Sequence, residues 1–376
     1  MLGDDGNALP STPSSSAPPP SGSPDVQEAP GTDVPLLATV STADAALQDT
    51  DAPLSGPRRA LVLLVMQGLP LLGLCAGAWL FVQEGIRALD VGLLVGMYLL
   101  TMTGIELGFH RYFAHRTFET TRPLRALLLI LGSMAGQGSA LLWSGVHRWH
   151  HAHTDVPGDL HSPTLGRRGG WQRVRGFFWA QFLWYLDAPA IPRFGRFLER
   201  YRASPASLQA PEGDSQEQRL ARTMPDLLRD DALLRLNQRY GLWVLLGFAL
   251  PAAVGGLGTG TWGGALRGLV WGGFMRYFLV QQITFAINSV THTVGTRPLE
   301  TRDDSRNNGV MAVLTLGAGW HNNHHAFPGS AFTDFRWWQV DPLGQVIRLL
   351  ARLGWAWDVR VPSPEAIAAR TRRPIR

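Results

Sequence analysis

The chain of 376 residues contains no lysine and a single cysteine, Cys75, so its formal net charge of +5 owes every positive side chain to arginine. One thiol cannot close an intramolecular disulfide, and Cys75 is expected to be a small packing residue. There is no ferredoxin-like cysteine set and no H-P-G-G motif that would bind haem. The H-E-x-x-H helix of zinc hydrolases is missing too. Charge itself is absent from long stretches: Ala60 to Val82, Val91 to Ile105, Tyr240 to Leu266 and Tyr277 to Thr296 carry none.

A membrane span needs about 20 predominantly apolar residues. The uncharged runs predict four spans, at about 60–82, 91–109, 240–257 and 265–288, with a turn near Gly258 to Gly264. Leu124 to Trp143 is also apolar. If it crossed, the histidines on either side of it would lie on opposite faces of the bilayer, about 30 Å apart. It is therefore expected to lie in the interface or dip into the protein body. The segment from His110 to Arg239 holds eighteen arginines against eleven acidic residues. Positive segments stay cytoplasmic, which puts the histidines and both termini on that side, as expected for a bacterial inner membrane.

Residues 1–57 carry eight acidic side chains and no basic one among many Pro, Ser, Ala and Gly. Such a segment buries too little apolar area to offset its ordering entropy, so disorder is expected, and it lacks the basic start and apolar core of a signal peptide. A loop is expected over Ala203 to Arg222, and a basic tail over 363–376. Without the acidic tail the body, 58–362 and the basic end, is near +13. That suits anionic head groups or an acidic redox partner, whereas arginines flanking spans argue against nucleic acid.

Nine of the eleven histidines form a pattern: His110 and His115; His147, His150 and His151; His321, His324 and His325; and His292 alone. The spacing H-x-x-H-H occurs twice and puts three imidazoles on one helix face. Nine imidazoles exceed what one metal ion takes, so two metals are implied. Metal transporters hold ionisable groups near the midplane, whereas these lie at span ends. Two redox irons that activate dioxygen beside an acyl chain account best for this chemistry. A lipid or alkane hydroxylase and a non-enzymatic zinc or haem protein are the alternatives.

Three segments carry a resemblance: Gly108-Phe-His-Arg-Tyr-Phe-Ala-His115, Trp143-Ser-Gly-Val-His-Arg-Trp-His-His151 and Gly319-Trp-His-Asn-Asn-His-His-Ala-Phe-Pro328. They resemble the three histidine boxes of membrane-bound fatty acyl desaturases of the delta-9, stearoyl-CoA desaturase-like group, over about Ala60 to Pro362. Asn288-Ser-Val-Thr-His292 is similar to the element that supplies a ninth histidine and an asparagine reaching a metal through water. The resemblance implies an all-α membrane protein, four spans under a cytosolic helical cap with a di-iron histidine cluster. It implies oxygen-dependent formation of a cis double bond, at the delta-9 position, in a saturated long-chain acyl-CoA or acyl-lipid. The metal ligands would be His110, His115, His147, His150, His151, His292, His321, His324 and His325, with Asn288 through water. Electrons would come from NAD(P)H through a separate ferredoxin or cytochrome and its reductase.

Three positions depart from the pattern or extend it. The third box is commonly preceded by Gly-Glu-Gly, but Gly317-Ala318-Gly319 stands here, while Glu106 lies four residues before His110. Glu106 is expected to replace the missing carboxylate as a hydrogen-bond partner of a ligand histidine, or else to pair with Arg276. Gly145-Val146 stands where mammalian-type boxes carry Arg-Asp, which leaves acyl-lipid substrates open. Asp155 and Asp159 are expected to orient ligand histidines, His153 and His161 to stay outside the metal set, and Tyr98 to close the acyl tunnel.

Overall fold

Two prolines inside apolar helices explain much of how the bundle is tied together. A proline has no N–H, so the carbonyl four residues earlier loses its helical partner and needs another. In the structure, a computed structural model that describes residues 54–165, 169–188, 190–203 and 215–372, both freed carbonyls are taken by a distant helix. Pro70 frees the Met66 carbonyl, which accepts from Gln281 Nε2 at 2.5 Å. Pro251 frees Gly247, whose carbonyl accepts from Arg276 Nη2 at 2.8 Å.

Among the described residues, three helices are long and apolar enough to cross a membrane: α1 (Gly56–Glu84), α2 (Ala88–Ala114) and α6 (Tyr240–Thr259). Each contains its expected span with a few residues added at the ends. The expected fourth span lies in a continuous helix, α7 (262–290), that packs on α1, α2 and α6. It falls short of the apolar three because it carries Arg267, Arg276, Gln281 and Gln282. Arg267 is buried and donates to Asp90 Oδ1 at 3.2 Å and Glu84 Oε2 at 2.8 Å, joining the α1–α2 turn to α7.

Leu124 to Trp143 divides into α3 (Arg122–Met134) and α4 (Ala140–His153). The break falls at Gly136 and Gly138, both at positive φ, and α4 then starts on the Ser139 cap. Helix α3 lies hard against α2: a Cβ on Gly104 would come within 2.0 Å of the Gly132 nitrogen. The other described elements include α5 (Gly170–Phe182), α8 (Gly309–Leu314), α9 (His321–Ala326), α10 (Pro342–Arg352), further helices such as Ala190–Ala203 and Asp231–Gln238, and an antiparallel pair, β1 (Glu119–Thr120) with β2 (Ala356–Trp357). A buried core of Phe109, Tyr112, Phe113, Leu141, Tyr185 and Phe285 joins α2 and α4 to the segments after α5.

Residues 1–53 of the expected acidic tail, 204–214 of the expected loop and 373–376 of the basic tail lie outside the described residues. The rest of that loop is helical instead, Gln216–Arg222, because Ser215 and Gln218 form a capping box, with Gln218 N donating to Ser215 Oγ and Ser215 N to Gln218 Oε1. The basic tail likewise contains a helix, Pro364–Arg370, whose Arg370 guanidinium lies 4.9 Å from the Phe327 ring centre.

Candidate metal centre

His110 and His115 are five residues apart, which on an α-helix turns them about 140° away from each other. The end of α2 from Gly104 to Ala114 winds instead as a wider π-type helix, and the His115 amide donates to the His110 carbonyl at 3.1 Å. Such wide turns recur at functional sites. Both rings thereby reach one group, and sequence spacing alone gave no sign of it. His110 Nε2 lies 3.0 Å from His324 Nε2, and His115 Nε2 lies 2.8 Å from His147 Nε2. His151 Nε2 joins these two pairs, 3.1 Å from His147 and 2.9 Å from His324.

A second group lies beside the first. His150, His292, His321 and His325 converge with their ligand atoms within 4.8 Å of one another. His292 Nε2 is 3.1 Å from His321 Nε2, while the buried Nε2 atoms of His150 and His325 have no hydrogen-bond partner. The His151 and His325 rings, one from each group, are 4.5 Å apart between centres.

Ligand nitrogens about 2.1 Å from one ion and at right angles are about 3 Å apart, the spacing of the first group. In the second, two buried nitrogens without partners carry a desolvation cost that a metal ion would offset. Both donor sets therefore fit a metal. Burial, then the proximity of other imidazoles, pushes the pKa of His115, His147, His151, His321 and His324 well below the ordinary histidine value. The rings are neutral and offer lone pairs.

Carboxylates fix which nitrogen faces inward. His110 Nδ1 lies 2.9 Å from Glu106 Oε2, His150 Nδ1 3.1 Å from both Asp159 oxygens, and His292 Nδ1 3.0 Å from Asp155 Oδ2. The fourth such partner, Asp303 at 3.0 Å from His325 Nδ1, was not expected. It comes from the irregular loop after α7, where no helical spacing links it to the boxes. Burial opposes ionisation of Asp155 and Asp303, but His292 and His325, with nearby hydrogen-bond donors, carry both carboxyls below the usual range. Against the same opposition from burial, His150 takes Asp159 down to about 2.

The alternative pairing of Glu106 with Arg276 does not occur. Arg276 spends its donors on the carbonyls of Gly272, Met134 and Gly247, the last freed by Pro251. Asn322 and Asn323, between the ligands of the third box, were also overlooked. Asn322 Oδ1 accepts from Leu299 N at 2.9 Å, and Asn323 Nδ2 donates to the Thr333 carbonyl at 2.8 Å, so the box is stapled to two loops.

His153 sits outside both groups, stacked 4.0 Å from Trp149, with its Nδ1 3.0 Å from the Trp149 carbonyl. His161 is near His150 and Asp159, but Asp159 already engages His150 Nδ1; burial first, then His150, takes His161 down to about 3. A cavity of about 440 Å³ opens onto His110, His147, His150 and His321, with Asn288 and Ala318 in its wall. Its other walls are largely apolar, from Met66, Leu142, Val146, Trp184, Phe194 and Phe285. Tyr98 is not among the residues that line it. The Tyr98 hydroxyl turns to the Leu314 carbonyl, and the ring packs beside Met102, Ile105 and Val280.

Apolar helices carrying two adjoining groups of neutral imidazoles, backed by carboxylates and open to an apolar cavity, define a membrane metalloenzyme that works on hydrocarbon. The sequence model described as fatty acid desaturase matches residues 89–359, and the chain belongs to that family. It is thus an oxidoreductase of a family that is generally di-iron and dioxygen-dependent. The chain is 37% identical over 309 residues to a hex-5-enoyl-[acyl-carrier protein] acetylenase of Moorena producens (strain JHB), covering 82% of this chain and 88% of that one. It is 32% identical over 296 residues to an sn-1 stearoyl-lipid 9-desaturase of Anabaena variabilis, covering 77% and 91%. With acyl-CoA desaturase 1 of Saccharomyces cerevisiae it shares 30% identity over 312 residues, 82% of this chain and 52% of the yeast protein.

Proposed function

We propose that the protein is a di-iron acyl desaturase that removes two hydrogens from adjacent methylenes of a saturated long acyl chain and leaves a cis double bond at the delta-9 position. The observation that carries this reading is the opening of both histidine groups into one apolar cavity. His110, His115, His147, His151 and His324 would hold one iron, and His150, His292, His321 and His325 the other, with Asn288 reaching it through water. Two irons held there would supply the oxidation, with dioxygen, two electrons and two protons taken up and two waters released for each double bond.

The chain's own residues do the rest. The apolar wall binds the acyl chain and keeps bulk water from the histidines. Glu106, Asp155, Asp159 and Asp303 each accept a proton-bearing Nδ1, which keeps Nε2 aimed inward as a lone pair. Two electrons per turnover come from NAD(P)H through a reductase and a separate ferredoxin or cytochrome. The helix 262–290 serves as a fourth span, and the histidine-bearing cap and both termini face the cytoplasm of a bacterial inner membrane.

An acyl-CoA or an acyl-lipid carries the substrate. The similarity to the acetylenase favours a second reading, in which the chain arrives on an acyl carrier protein and already holds a double bond. Expression in a desaturase-deficient bacterial host, with fatty-acid profiling, tests the reaction. A new delta-9 cis-alkene supports the proposal; an alkyne supports the second reading; hydroxylated chains would overturn both.

A further inference from the structure

Beyond the spans, α8, α10 and the segments around them carry apolar side chains that none of the described residues covers. In α8, Met311 and Ala312 are buried, while Val310 is 71% and Val313 70% exposed. Helix α10 buries Leu343, Ile347 and Leu350, yet a second stripe, Val346, Leu349 and Leu353, faces outward at helical spacing. Around it stand four exposed tryptophans, Trp337 at 95%, Trp338, Trp355 and Trp357. The buried Trp320 ties the start of α8 to one of these tryptophans, since it lies beside Gly309 and its ring centre is 5.4 Å from that of Trp338.

The neighbour of this surface says what covers it. The Tyr98 hydroxyl donates to the Leu314 carbonyl, which seats the end of α8 against the middle of α2. Tyr98 is twelve residues before His110, so this contact lies at most about 18 Å below the first histidine at 1.5 Å per residue. The outward residues of α2 at that level, Val95 and Leu99, are 48% and 43% exposed, as lipid-facing side chains are. Tryptophans gather where hydrocarbon meets head groups, and arginines gather there against anionic lipid. Arg336, Arg352 and Arg360 are exposed along the same segment.

We propose that α8 and residues 336–361 form a collar at the edge of the bilayer, with α8 inside the hydrocarbon edge beside α2 and the tryptophan-bearing segments at the level of anionic head groups. Since α8 leads through Ala318 directly into α9, the bilayer would then seat the third histidine group. The inference rests on the reading of α1, α2 and α6 as membrane spans.

The test places single nitroxide labels on the full chain, in a Cys75→Ala background, through Val310→Cys, Val313→Cys, Leu349→Cys and Leu353→Cys. Leu72→Cys on α1 is the lipid-facing control and Arg302→Cys the water-facing one. The protein is reconstituted in phosphatidylcholine vesicles containing phosphatidylglycerol, and collision with oxygen and with a water-soluble nickel chelate is measured. Labels at 310 and 313 are expected to match Leu72, oxygen-rich and nickel-poor, with 349 and 353 intermediate. Nickel access equal to that at 302 would overturn the collar. So would shielding from both reagents, which means a protein partner. Nickel access at Leu72 would overturn the span reading itself. The unaltered chain gives a second readout: a photoactivatable phospholipid should label the peptide between Arg306 and Arg336, and its absence from that peptide alone would contradict the proposal.

Discussion

At the scale of residues, the metal centre is a matter of aim. An imidazole is held with one nitrogen toward a metal when a partner fixes the other, and four carboxylates do this for His110, His150, His292 and His325. Outer partners of this kind matter about 10 to 100-fold in metal affinity or activity. Glu106→Gln is therefore expected to lower iron retention under chelator challenge by that order, with thermal stability little changed. Ala318→Glu, whose new carboxylate would enter the wall of the same cavity, should restore part of it. Unchanged iron in Glu106→Gln would remove the residue from the site. His151→Ala and His324→Ala should each abolish double-bond formation while the protein still accumulates in membranes, since the spans bury their apolar surface regardless. Wild-type product and two irons in either variant would contradict the ligand assignment.

At the scale of elements, the sequence was most readable where chemistry is monotonous. Absence of charge marked α1, α2 and α6 nearly to their ends, and the need to keep the histidines on either side of Leu124 to Trp143 on one face set that stretch apart from the spans. Position along the chain could not show that α2 widens into a π-type helix, because that depends on packing against α3 and on both histidines meeting a shared site. Nor could it show the partners of Arg276, three carbonyls of which one is freed by a proline on another helix. Asp303, Asn322 and Asn323 escaped for the same reason, since each acts across a loop. The close contact of α2 with α3 has a direct test. At Gly104 a methyl group would meet backbone atoms that cannot turn aside. Overpacking of this kind costs about 1–3 kcal/mol or more. Gly104→Ala should lower the thermal midpoint of the detergent-solubilised protein by several degrees and weaken iron binding through His110. An unchanged midpoint would show that α3 is free to shift.

At the scale of the whole molecule, the histidine groups lie where α4 and α9 meet the end of α2 and the turn that follows α7, an arrangement no one of them could form alone. The acidic composition of the amino-terminal tail sets it apart from that assembly, and removal of Met1 to Thr50 is expected to change activity less than twofold. Loss of activity at normal abundance would mean that the tail docks a partner. The central claim is that two irons in this centre drive formation of a double bond. It is tested most directly by purified protein supplied with an electron carrier, its reductase, NAD(P)H and a saturated acyl substrate, with iron counted and products identified on the same sample. Two irons per chain and a cis-alkene formed only in the presence of dioxygen are predicted. A preparation that holds a single zinc, or that yields only hydroxylated chains, would contradict the account.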